Sequence, residues 1–282
     1  QIGILGKPNA GKSTYFNSIL KDSRSIVSST PGTTRDAISE LITFKGNHIK
    51  ITDTAGLRKK SKISDLVEKY SVNAAIKAMK ISEGIIYMID GKESISDQDL
   101  HLISLTISSG KPLVIGINKS ETLDKYKKTN VRKDLNRKLS FANDLEVKYI
   151  SARKNLGTSS LISSLIKLIK KSKEKLNPKT VNKVFLEAYE NNPPPIKGRF
   201  RPKIKFIKIL DTQPPTFVLH GNKIDFLSKQ YLKYLENSVR KSLQLKGIPI
   251  KLVLKIAENP YKTRKNKLTK RQLNKRKRIR GR

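Results

Sequence analysis

The stretch Gly6-Lys7-Pro8-Asn9-Ala10-Gly11-Lys12-Ser13 decides the fold. It fits the pattern G-x-x-x-x-G-K-[ST], with an expected strand before it (Ile2 to Leu5) and an expected helix after it, near Lys12 to Leu20. Gly6 and Gly11 allow backbone N–H groups to turn inward around phosphate oxygens, where a helix N-terminus adds positive potential. Lys12 is then expected at the β- and γ-phosphates and the Ser13 hydroxyl on Mg²⁺. Such a loop calls for a nucleoside triphosphate.

Outward from this loop, apolar strands alternate with helices. Strands are expected at Ile38 to Phe44 and His48 to Thr52 around a Gly46-Asn47 turn, then at Gly84 to Ile89, Leu113 to Ile117 and Val147 to Ile150. Helices are expected at Leu66 to Met79, Asp97 to Ser108, Lys125 to Phe141 and Leu156 to Lys171. Continuous apolar strands between helices predict an α/β fold, a doubly wound, mostly parallel sheet covered on both faces. Ligands of such sheets sit at the carboxyl ends of the strands.

The remaining chemistry-bearing motifs fall at those ends. Asp53-Thr54-Ala55-Gly56 closes one strand: the Asp53 carboxylate suits the Mg²⁺ shell, and the Gly56 N–H suits a γ-phosphate. Thr33-Thr34-Arg35-Asp36 lies in the preceding Ser/Thr-rich loop, where one of Thr33 and Thr34 completes Mg²⁺ coordination if the loop is a nucleotide switch; an ordinary polar loop is the alternative. Asn118-Lys119-Ser120-Glu121 follows a strand and brings a carboxylate, which accepts from both N1–H and the N2 amino group of guanine, donors that adenine lacks. Ser151-Ala152-Arg153, after the last strand, would place a backbone N–H near guanine O6.

These five motifs, in this order, resemble the translation-factor-like GTPases, a P-loop NTPase family of Ras-like fold. Lys62-Ile63, Val67 to Ser71 and Ile95 to Leu100 are similar to the second GTPase domain of the Der (EngA) family. The likeness continues through Pro193-Pro194-Pro195, Pro214 to Val218, His220-Gly221-Asn222, Gly247 to Ile250 and Asn259-Pro260-Tyr261. It implies a GTPase domain at 1–172, a basic linker at 173–180, a KH-like α+β domain at 181–258 and a basic tail at 259–282. It also implies GTP and GDP as ligands, Mg²⁺ as cofactor, and the large ribosomal subunit and rRNA as partners. The tRNA-modifying GTPase of similar loop carries a C-terminal Cys and the Era-type GTPases a G-x-x-G loop; neither is present here.

Three departures from the family pattern bear on function. The family's first GTPase domain is absent, and the start at Gln1, without an initiator Met, reads as that of a fragment. Ala10 stands for the usual Val. Glu121 stands for Asp, one methylene longer, so guanine preference is expected to be retained but reduced. Where many GTPases place a water-orienting Gln, this chain has Leu57, and no arginine finger can be assigned from Arg35 or Arg58. The resemblance offers another route: Asn9 matches an asparagine that helps potassium-activated GTPases bind K⁺, a cation that would stabilise transition-state charge. The implied catalytic group is therefore Lys12, Thr34, Gly56 and Asn9.

Composition bounds the rest. The absence of Cys excludes disulfides, thiolate metal sites and a Cys nucleophile. His48, His101 and His220 have no ligand spacing. No run of about 18 apolar residues occurs, so no membrane partner is expected, and a cytoplasmic monomer is. The net charge of +37 is uneven: residues 1–172 carry +14 and residues 173–282 carry +23. That field favours a polyanion such as nucleic acid, with compositional drift as the alternative; the resemblance implies that the polyanion is RNA, with no DNA expected. Residues 177–258 expect the order α-β-β-α-β and hold no G-x-x-G loop, so Arg199, Arg201, Lys203, Lys205, Lys208 and the tail are expected to bind phosphates instead. The tail has 12 Lys/Arg and no acid in its 24 residues and is expected to be disordered until bound. The competing reading is an RNA-binding module with a weakened or non-hydrolysing nucleotide site.

Overall fold

Each apolar run becomes a strand in a computed structural model that describes residues 1–22, 38–53, 73, 75–139, 144–256, 271 and 274. The strands β1 (Ile2–Gly6), β2 (Ile38–Phe44), β3 (Asn47–Asp53), β4 (Gly84–Asp90), β5 (Leu113–Asn118) and β6 (Glu146–Tyr149) form one sheet in the order β2-β3-β1-β4-β5-β6. All neighbours are parallel except β2, which pairs antiparallel with β3 at the edge. Every residue of β4 and β5 is buried, because helices cover both faces. Side-chain alternation splits the core: Ile86 and Met88 face α1 (Lys12–Asp22), while Ile85, Tyr87 and Ile89 face α2 (Asp97–Ser108) and α3 (Lys125–Lys138). Helix α4 (Thr158–Ser172) packs on the α1 side through Leu161, Ile162 and Leu165.

A second unit follows in the expected order: α5 (Pro178–Asn191), β7 (Lys203–Leu210), β8 (Thr216–Asn222), α6 (Lys229–Ser242) and β9 (Lys251–Ile256). β7 runs antiparallel to β8 and β8 parallel to β9. Val181 and Phe185 of α5 and Leu235 and Val239 of α6 pack on the inward residues Ile204, Ile207, Phe217 and Leu219. The fold is thus a P-loop, Ras-like α/β core followed by a small KH-like α+β domain.

Boundaries differ where capping competes with hydrophobic period. The β2–β3 turn is Lys45-Gly46, one residue earlier than expected, with both residues at positive φ (47° and 74°), while Asn47 already pairs in the strand. Helix α5 starts at Pro178, three residues before Val181, because the Asn177 side chain accepts the Lys179 N–H at 2.9 Å and proline suits a first helical turn. Helix α4 starts at Thr158 and not at Leu156, which bridges to Ser151. Of the helix expected at Leu66 to Met79, only residues 73 and 75–79 are described, and the helix runs on to residue 81.

The two units meet at the N-terminal ends of the strands. Asp144, just before β6, lies 3.2 Å from Nη2 of Arg240 on α6 and accepts the Gly247 N–H at 3.4 Å. Leu168 of α4 packs into the cores of both units. Gly110, just before β5, abuts the β7–β8 turn: a Cβ there would lie 2.3 Å from Pro214, and its φ of 75° further restricts it to glycine.

Candidate nucleotide-binding site

The opposite ends of the strands build the site. Gly6 ends β1 and Lys12 begins α1, so the loop between them sits under a helix N-terminus. Asn9 takes φ 63°, a conformation Asn tolerates, and both Asn9 and Ser13 are exposed. Lys12 is 4% exposed and its Nζ donates to the Lys7 carbonyl at 2.6 Å, so the ammonium is held inside the loop beside the space a phosphate would take. Gly11, at φ 89°, passes so near Asn118 that a Cβ would lie 2.0 Å from Asn118 Nδ2.

Asn118 ties three loops together. At the end of β5 and 3% exposed, it donates from Nδ2 to the Ala10 carbonyl (2.9 Å) and accepts the Ala152 N–H at Oδ1 (2.9 Å). Its own carbonyl accepts the Gly91 N–H at 2.9 Å. Ser151 is buried and its N–H is committed to the Leu156 carbonyl at 2.9 Å. Of the three residues expected to face a base, Ser151 and Ala152 therefore have their N–H groups engaged, and Arg153, which is exposed, is left to supply one.

Lys119 adopts φ 60° and its ammonium pairs closely with Asp90 Oδ2, while Asp90 Oδ1 accepts the Lys92 N–H at 3.0 Å. The 3-10 turn Ser120–Thr122 follows and leaves Glu121 exposed at the mouth. Pro8, Asn9, Lys12, Ser13, Lys119 and Glu121 are among the residues that line one cleft of ≈ 630 Å³. The cleft has Lys12 and a helix N-terminus at one end and the Glu121 carboxylate, beside Lys119 and Arg153, at the other, which suits a ligand with an anionic tail and a donor-bearing base.

The sequence reading missed the acids behind the site. Asp90 closes β4 as the motifs close their strands, and that position alone was a signal. Asp99 is 3% exposed, accepts from the Tyr87 hydroxyl (2.9 Å) and from Ser96, and lies 3.3 Å from Nζ of Lys7, tethering the phosphate loop to α2. Burial and the Asp99 charge together push the Tyr87 hydroxyl far above its ordinary pKa, so it remains a donor. Thr33, Thr34, Arg35, Asp36, Thr54, Ala55, Gly56, Leu57 and Arg58 lie outside the described residues; the Asp53 backbone ends β3.

Comparison with known proteins agrees in both units. Residues 1–119 match the family of 50S ribosome-binding GTPases, and residues 175–255 match the KH-domain-like C-terminal unit of EngA bacterial GTPases. GTPase Der of Alcanivorax borkumensis is 39% identical over 279 residues, covering 99% of this chain and 59% of that protein. GTPase Der of Haemophilus influenzae is 39% identical over 279 residues, covering 99% and 55%. The chain thus spans little more than half the length of the curated relatives it matches. Among solved structures, an Era variant of Aquifex aeolicus bound to GDP and a fluoroaluminate covers 90% of this chain and 92% of its own, at 24% identity and a TM-score of 0.46.

Proposed function

We propose, from the premise that this chain belongs to the Der (EngA) family of GTPases, that it binds and hydrolyses GTP in assembly of the large ribosomal subunit, altering its hold on rRNA with nucleotide state. The observation that carries this reading is the Asn118 side chain, which fixes the phosphate loop at Ala10 and the base loop at Ala152 in one arrangement. A tie between the two loops supports recognition of triphosphate and base in one register.

Within this reading, Lys12 leaves the Lys7 carbonyl for β- and γ-phosphate oxygens, and N–H groups at the head of α1 neutralise the same charge. Ser13, Asp53 and Thr34 are assigned to Mg²⁺, Gly56 to the γ-phosphate and Asn9 to K⁺. Glu121 accepts from the guanine edge, the Arg153 N–H meets O6, and Asp90 holds the Lys119 ammonium beside the base. With Leu57 unable to orient water, bound cations are left to offset transition-state charge.

Titration of the chain with GTP, GDP, ATP and XTP tests base selection: GTP and GDP are expected to bind at least about tenfold tighter than ATP. Equal binding of ATP and GTP would remove the guanine assignment. Hydrolysis is expected to run faster in KCl than in NaCl, and Asn9→Ala to abolish the difference.

One observation favours a second reading. Glu121 is longer by a methylene than the family's Asp and stands exposed, which fits an RNA-binding module whose nucleotide site has weakened. Single-turnover hydrolysis at saturating GTP separates the two, since only the first reading releases phosphate.

A further inference from the structure

The sheet of the C-terminal unit has one face under α5 and α6 and another turned outward, and the outer face is not built like an ordinary solvated one. Ile204 and Ile207 both point into the core although they are three residues apart. A register shift between Ile204 and Phe206 makes this possible, with Lys205 as the extra residue. Its effect is to aim Phe206 outward and set it directly opposite His220. The two rings stack face to face, centroids 4.4 Å apart and planes 9° from parallel, with Phe206 50% exposed.

Toward the end of the hairpin remote from Gly110, a second aromatic group follows. The Lys223 ammonium lies 5.3 Å from the Phe200 ring centroid and 5.7 Å from that of Phe226, and Phe200 is 53% exposed. Cations surround both groups: between Asn191 and Leu210 the chain has six Lys/Arg and no acid, and Lys255 pairs beside His220 from β9. The acids that follow this stretch in sequence are Asp211, after β7, and Asp225, beside Phe226.

Open aromatic rings in a cationic field fit unpaired bases on a phosphate chain. A duplex satisfies the charge but hides its base faces, whereas a single strand offers both. We infer that the outer face of β7 and β8 binds single-stranded RNA by stacking a base on Phe206, with the exposed Phe200 before β7 offering a second ring and the neighbouring lysines and arginines taking the phosphates. The inference rests on the rRNA reading above and deepens it: this surface reads single-stranded character, and it replaces the grip that a G-x-x-G loop would give.

The test uses the full chain with a fluorescein-labelled oligouridylate and a blunt RNA duplex of matched phosphate number. The single strand is expected to bind tighter than the duplex, and Phe206→Leu to weaken it by roughly 5- to 150-fold without changing the salt slope. Lys208→Gln is expected to lower that slope by about 0.7 while sparing the preference for single strands. The chain has no Trp, so Phe206→Trp adds a single indole, excited to the red of the nine Tyr, whose emission is expected to be quenched by oligouridylate and not by duplex. Wild-type affinity in Phe206→Leu, or an unquenched Trp at saturating single strand, would overturn the stacking role, as would loss of self-association in Phe206→Leu with RNA binding unchanged. Equal binding of duplex and single strand sinks stacking alone. Failure to bind either RNA sinks the rRNA reading as well. Oligothymidylate binding as tightly as the RNA would overturn the assignment to RNA while keeping the stacking surface.

Discussion

Asn118 and Ala10, 108 residues apart in sequence, are joined by a buried 2.9 Å hydrogen bond from Asn118 Nδ2 to the Ala10 carbonyl. With the Ala152 N–H on its other side, this one amide uses both donor and acceptor between loops. Asn118→Ala strands a buried carbonyl and a buried N–H, at about 1–3 kcal/mol each. The expected result is a lower melting temperature together with at least tenfold weaker GDP binding, roughly the effect of one such loss. Asn118→Asp keeps the acceptor for Ala152 but sets a carboxylate against the Ala10 carbonyl, and is expected to weaken binding as well. Unchanged affinity in both variants would show that the tie has no part in binding.

Asp90 holds the Lys119 ammonium and the Lys92 N–H with one carboxylate. Asp90→Ala releases Lys119 without touching the cleft's phosphate end. GTP and GDP affinity is expected to fall by about tenfold, the scale of a lost charged hydrogen bond, while inorganic phosphate inhibits the variant and the wild type equally.

Arg240 is 7% exposed and meets Asp144 of the other unit. Asp144→Ala removes this partner and the acceptor for the Gly247 N–H, at an expected cost of about 2 kcal/mol, reduced from the fully buried case because Asp144 is partly open. Calorimetry is expected to show one transition for the wild type and a split or broadened one for the variant. A variant that melts as one sharp transition at the wild-type temperature would refute the clamp.

The Lys173 ammonium, 2.6 Å away, holds the Glu83 carboxyl below the usual range. A depressed carboxyl stabilises the fold above its unfolded pKa of about 4.3 and loses that contribution as the pH falls through the lower folded value. Both side chains of the Lys173–Glu83 pair are 44% exposed, so solvent screening limits it to about 0.5 kcal/mol. Urea midpoints of wild type and Lys173→Met are expected to differ slightly at neutral pH and to converge near pH 3. A constant difference across that range would contradict the pairing.

The architecture was legible because its signals are local. The phosphate loop, the apolar runs of β4 and β5 and the strand-end motifs are each written within a few residues. Side-chain traffic between distant segments was not. Asp90 ends a strand as the motifs do, but its partner Lys119, and the partner Lys7 of Asp99, come from segments far away in sequence and are set only by the packing of the elements. The shift at Lys205 was equally hidden, because Lys-Ile-Lys-Phe-Ile-Lys has no single alternation that buries both isoleucines. Helix starts were misplaced where an Asn or Gly set the boundary, ahead of the hydrophobic period at Asn177 and behind it at Gly157.

The meeting of the two units at Asp144, Gly110 and Leu168 has a mechanical consequence. These contacts lie across the length of β5 from Asn118, roughly 20 Å for a six-residue strand. The C-terminal unit is therefore mounted on the back plate of the nucleotide cleft, braced against the rigid roots of the sheet. A ligand in the cleft touches none of these contacts directly. On the proposed reading, a change at the cleft would have to cross the length of the sheet to reach whatever the C-terminal unit holds.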